Sequence, residues 1–161
     1  MKNPLVTFGR WMALRRGRST VPTELLPLAK VHGAMVFVDT TVPEEDPEHV
    51  CRAVQQFFDY QGVPVLILCP AKRDVNWRGF IKKRVRGTNV SRQEDLFISL
   101  AASPDNFAAE YEARCSKARF KVGRCQLPGD VFDLVVAVPD NGESSQLAVF
   151  SAIKDYLNKI R

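Results

Sequence analysis

Asp39, Thr40, Lys72, Ser103, Asp140 and Asn141 are the residues of this 161-residue chain whose types suit small-ligand chemistry and whose positions suit one site. Each follows a short apolar run that reads as a β-strand, and open α/β sheets bind ligands outside the carboxyl ends of their strands. A carboxylate at Asp39 suits a hydrated metal or a general base, Lys72 a phosphate clamp, and Asp140 a second carboxylate. Thr40, Ser103 and Asn141 would hydrogen-bond a phosphorylated ligand. Turns and helix caps prefer the same residue types, so a bland reading stands beside the functional one. Acting together requires the side chains to converge within about 6–8 Å across one pocket.

A second set is denser in charge. Residues 72–92 hold Lys72, Arg73, Arg78, Lys82, Lys83, Arg84, Arg86 and Arg92 against Asp74 alone, a net +7. Residues 1–22 hold Lys2, Arg10, Arg15, Arg16 and Arg18 with no acid, a net +5. The remainder carries −7, so the total of +5 conceals an acidic body with two basic segments. A local field steers an anionic partner where an average charge does not. Basic residues interleaved with Trp77, Phe80 and Ile81 suit phosphate contacts with base stacking.

The first expectation is therefore a non-catalytic interaction module that binds RNA or a ribonucleoprotein through residues 72–92, helped by the N-terminal arm. An enzyme or ligand sensor at the strand ends is the alternative, and attachment of the arm to a membrane surface is a second. Trp77 is expected to be buried as the anchor of the basic insertion. Phe8, Trp11 and Met12 are expected to dock an N-terminal helix on the body.

No phosphate-cradling glycine loop, dinucleotide fingerprint or nucleophile elbow is present, so no cofactor and no reaction is named by motif. Cys51, Cys69, Cys115 and Cys125 lack metal-binding spacing and read as buried free thiols of a reducing cytoplasm. His32 and His49 do not suggest a metal site. No apolar run approaches the roughly 20 residues needed to cross a bilayer.

The elements that must position these residues follow from periodicity. Residues 34–39 and 63–70 are continuous apolar runs rich in valine, the habit of strands covered on both faces. The second run, residues 65–69, reads as the centre of the sheet. Between them lies a helix capped by Asp46, opened by Pro47 and closed by Gly62, with Val50, Val54, Phe57 and Phe58 on its buried stripe. Residues 95–100 form a third strand. A helix capped by Ser103 follows, then a half-exposed strand at 119–122, a strand at 132–138 and a last helix capped by Ser144 or Ser145. The order predicts an α/β three-layer sandwich with a mostly parallel, Rossmann-like sheet of about five strands and a basic insertion after strand two. Residues 1–22 form an arm and 23–161 one domain.

Val36-Phe37-Val38-Asp39, Asp74-Val75-Asn76-Trp77, Asp95-Leu96-Phe97-Ile98-Ser99-Leu100, residues 116–123 and Phe132-Asp133-Leu134-Val135-Val136 together resemble a family of small uncharacterised bacterial α/β proteins. The resemblance spans about residues 25–160. It implies the fold and carries no activity.

Overall fold

The computed structural model describes residues 3–17, 19, 21–24, 26–43, 45–86, 94–137 and 145–160. Five strands, Ala34–Phe37 (β1), Val65–Leu68 (β2), Leu96–Ser99 (β3), Phe120–Gly123 (β4) and Leu134–Val135 (β5), form one all-parallel sheet in the order β2-β1-β3-β4-β5. Every residue of β1, β3 and β4 is buried. The α/β sandwich and the insertion after β2 are as expected, but two strands differ. The apolar run 65–69 is an edge strand, not the centre, and its Leu66 is 38% exposed. It is apolar because Val65 and Ile67 pack on the core beneath while Leu68 is buried in the opposite layer. In the stretch 119–122, expected to be half-exposed, Arg119 is exposed and residues 120–122 are buried, with β5 paired along the far side of β4.

Helices cover both faces. Pro47–Gln61 (α2) and Gln146–Lys159 (α5) lie on one, where Val50, Val54, Phe58, Phe150, Ile153 and Leu157 pack against Val36, Ile98 and Val122. Phe107–Cys115 (α4) lies on the other, with Ala109 and Ala113 against Met35, Phe37 and Phe97. The small side chains let α4 approach the sheet closely. Pro4–Gly17 (α1) packs on the outside of α4, and the short Lys83–Arg86 (α3) lies within the insertion.

Local chemistry fixes the helix ends. The Asp46 carboxylate accepts from the Glu48 N–H at 3.0 Å, with Pro47 opening α2. Gly62 closes it in the left-handed region, at φ 68°, which glycine adopts without a Cβ clash. Ser145 Oγ caps α5 by accepting from Ala148 N. The cap of α4 is Asn106, whose side chain accepts from Ala109 N at 3.2 Å. Ser103 instead closes the preceding turn by accepting from Asp105 N, because two further residues intervene before the cap Asn106.

Two buried polar side chains tie the layers together. Gln146, fully buried at the start of α5, exchanges hydrogen bonds with the backbone of Asp39, accepting from its N–H and donating to its C=O, both at 2.8 Å. Its amide also donates to Glu45 at 2.7 Å. Lys121 on β4 donates its Nζ to the Ala113 carbonyl at 2.7 Å, capping the negative end of the α4 dipole. Burial pushes the Lys121 pKa down, and nearby Asp133 only partly offsets this. The four cysteines are free thiols, half-buried rather than fully buried.

Gln146→Leu leaves the Asp39 amide and carbonyl unpaired in the core. It is expected to cost about 2–4 kcal/mol, read as a lowered denaturation midpoint at unchanged slope. Lys121 gives a pH signature. Its folded pKa lies below the ordinary 10.5, so between those two values the unfolded chain binds more protons and stability rises with pH. Lys121→Met should flatten that rise in denaturation curves recorded from neutral pH to about 10.5.

Candidate functional site

β1 sends its chain to α2 on one face of the sheet, while β3 sends its chain to α4 on the other. The two strands are neighbours, so the connections part above them and leave a gap at their carboxyl ends. In doubly wound sheets this reversal is where ligands bind. Here it holds a cleft of about 640 Å³.

The floor is formed by Thr40, Thr41 and Pro70. Thr40 Oγ1 donates to the Pro70 carbonyl and so clips the end of β1 to that of β2. Thr41 donates both its N–H and its hydroxyl to Asp39 Oδ1, at 2.8 and 2.6 Å. Both threonine hydroxyl protons are thus committed, and these residues shape the floor. Ser103, Asp105, Asn106 and Phe107 line the α4 side. The Ser103 Oγ accepts from Asp105 N, so its proton is available to a ligand. Beyond it stands the positive end of α4.

Lys72 and Arg10 are the cations of the cleft. Lys72 is exposed and opens the tight turn Lys72–Asp74 after β2. Arg10 reaches in from α1. Its guanidinium lies 4.6 Å over the Phe107 ring, and its Nε donates to the Arg78 carbonyl at 2.7 Å. Gly79 makes room for it, since an added Cβ would stand 2.6 Å from an Arg10 nitrogen and φ there is 96°.

The insertion that delivers Gly79 is a tight hairpin. Val75 and Ile81 bridge antiparallel, and Lys82 N donates to Asp74 O at 2.7 Å. The Asn76 side chain accepts from the N–H groups of Arg78 and Phe80. Ile81 is buried against the α4 side of the core, and Phe80 stands edge-on to Phe107 and Tyr111 at 5.1 and 4.9 Å. These two residues are the anchor. Trp77 is not, contrary to its expected role. The Asn76–Gly79 turn holds it at the hairpin tip, exposed, with the Arg78 guanidinium 5.0 Å over its ring.

Of the strand-end residues expected to form a site, Thr40, Lys72 and Ser103 come together in the cleft. Asp39 is buried below it, turned onto Thr41, and does not line it. Asp140 and Asn141 lie outside the described residues, as do residues 87–93 and the Arg86 side chain. Among the other basic residues of the insertion, Lys82 and Arg84 fold back onto the Arg73 carbonyl, and Arg84 pairs with Asp74 at 3.3 Å. Arg73 and Lys83 are exposed. Arg15 and Arg16 are exposed on α1. Arg10 was expected to serve a macromolecular partner, and the structure places it in the wall of the cleft. Its signal in the sequence was a lone arginine inside an apolar helix.

Among the described residues, no cluster of three His, Cys, Asp or Glu stands where it could hold a metal ion. No helix there is long and apolar enough to cross a membrane.

Strand order and cleft together define a doubly wound parallel α/β domain with a crevice at its point of reversal. The chain belongs to a family of unknown function (DUF6913), whose model matches residues 64–160, from the start of β2 to the end of α5. No curated protein and no solved structure matches the chain.

The hairpin assignment is checked by melting. Ile81→Ala should cost about 2–5 kcal/mol as a core truncation. Trp77→Ala should leave the midpoint within about 0.5 kcal/mol of the parent.

Proposed function

We propose that the domain binds a small phosphate-bearing ligand in the crevice between the carboxyl ends of β1 and β3. One observation carries this reading: Lys72 and Arg10, far apart in the sequence, border the same cleft at the reversal point of the sheet. Two cations beside the positive end of α4 make a place where a dianion is favoured. In this role Lys72 contacts the phosphate as a mobile point charge, while Arg10, held by Phe107 and the Arg78 carbonyl, offers its remaining N–H groups in a fixed plane. Ser103 donates a third hydrogen bond. Val75, Phe107 and Ala108 give the cleft an apolar wall suited to a planar or hydrocarbon body. Asp105 supplies an acceptor for a hydroxyl or amino group of that body. Recognition of this kind suits a ligand sensor, and it equally suits the substrate-binding half of an enzyme.

Calorimetric titration with inorganic phosphate and adenosine monophosphate is the test. Saturable binding is expected, tighter for the nucleotide because it also fills the apolar wall. Lys72→Gln should weaken it about ten- to a hundred-fold, the usual worth of a charge-assisted hydrogen bond, with the melt unchanged. Absence of saturable binding by either probe, or equal binding by Lys72→Gln, would sink the proposal.

A further inference from the structure

A different face of the molecule is apolar where solvent should be. On α1, Leu5, Phe8 and Trp11 recur every third residue and are 77%, 61% and 50% exposed. The side turned to the body carries the half-buried Val6, Met12, Ala13 and Leu14, with Arg10 reaching inward over Phe107. The helix thus keeps its bulky Leu5, Phe8 and Trp11 outward, where a surface helix ordinarily carries polar side chains. Next to it stands the hairpin tip, where Trp77 is 72% exposed. Leu5, Arg16, Trp77 and Phe80 border one groove between helix and tip, while Trp11 borders a second groove along α1 with Thr7 and Leu14 and lies 5.9 Å from the Phe8 ring. Arginines frame it: Arg15 lies 5.4 Å over the Trp11 ring, and Arg78 5.0 Å over Trp77.

We infer that this surface lies on an anionic lipid bilayer, with Leu5, Phe8 and the two tryptophans entering the headgroup boundary and the arginines meeting lipid phosphates. Tryptophan is favoured at that boundary, and basic residues around an apolar face are the mark of helices that lie on anionic membranes. Charge complementarity decides against a second copy of the chain. No acid occurs in residues 1–22, so pairing the face with itself would set arginine against arginine. Against a nucleic acid stand Leu5 and Phe8, exposed apolar side chains of α1 that have nothing to bury against a phosphate backbone. This surface is separate from the crevice, and its test does not depend on a small ligand.

The chain has only two tryptophans, Trp11 on α1 and Trp77 at the hairpin tip, both exposed, so intrinsic fluorescence reads this region directly. With the full chain, vesicles of phosphatidylcholine containing about one-third phosphatidylglycerol should shift the emission to the blue and carry the protein in flotation, while pure phosphatidylcholine should do so weakly. Leu5→Ser with Phe8→Ser, which leaves the charge intact, should weaken vesicle binding at least about ten-fold. Arg15→Gln with Arg16→Gln should remove the preference for anionic vesicles. All four side chains are exposed, and circular dichroism should confirm that both variants stay folded. An emission unmoved by anionic vesicles overturns the inference. So does undiminished binding by the Leu5, Phe8 variant, which would mean bare charge attraction. A shift produced by single-stranded RNA and not by vesicles, or by concentrating the protein alone, assigns the face to RNA or to a second copy and overturns it equally.

Discussion

At the top of β1 the chain must leave a fully buried strand, and the peptide of Asp39 has no neighbouring strand to bond. Gln146 supplies the missing partner. Its side-chain amide pairs with that peptide as a backbone would, across more than a hundred residues of sequence. The bond sets where β1 stops, which allows the Asp39 carboxylate to fold back on Thr41 and Thr40 to clip Pro70. Floor, crevice and the seating of α5 all follow from that one satisfied peptide. A buried amide of this kind is a demanding arrangement. Fully paired it specifies a single geometry, and half-paired it is worse than an apolar core.

The crevice has a corresponding logic on its other wall. α4 is nine residues long, with its positive end at the cleft and its negative end met by Lys121. A lysine on β4 therefore neutralises one pole of the helix while the other stays directed at the opening. Small alanines along α4 bring that dipole close to the sheet, and the ring cluster of Phe80, Phe107 and Tyr111 fixes its outer side.

Signals that act over a few residues were legible in the sequence. Asp46, Pro47 and Gly62 define α2 because capping, proline geometry and the left-handed turn are local constraints. The alternation of strands and helices gave the fold class for the same reason. Strand order was not legible, since an apolar strand at an edge and one at the centre have nearly the same composition, as β2 shows. Gln146 was missed because a glutamine one residue past a serine cap looks like any solvated first-turn residue, and its partners lie far away in sequence. Trp77 was misread as the anchor because it stands between the apolar Val75 and Phe80. Its neighbour Asn76 bonds the turn and fixes the ring outward, and nothing in the ring's own hydrophobicity reveals that. Thr40, Lys72 and Ser103 were legible as strand-end residues, while Arg10 was not tied to them, because only the docking of α1 brings it there.

Arg10 belongs at once to the helix that carries the exposed aromatic face and to the wall of the crevice. The family match begins at residue 64, so this wall and the β1 floor come from outside the matched stretch. Through Arg10 the docking of α1 and the shape of the crevice depend on each other. A molecule that touches Arg10 in the cleft binds the docked arrangement of α1 and gains nothing from an undocked one. By reciprocity it strengthens docking by the same factor that docking strengthens its own binding. The same arginine is therefore a seat for the helix and a border of the crevice, and a contact made to it in the crevice would favour the docked helix by as much as docking favours the contact.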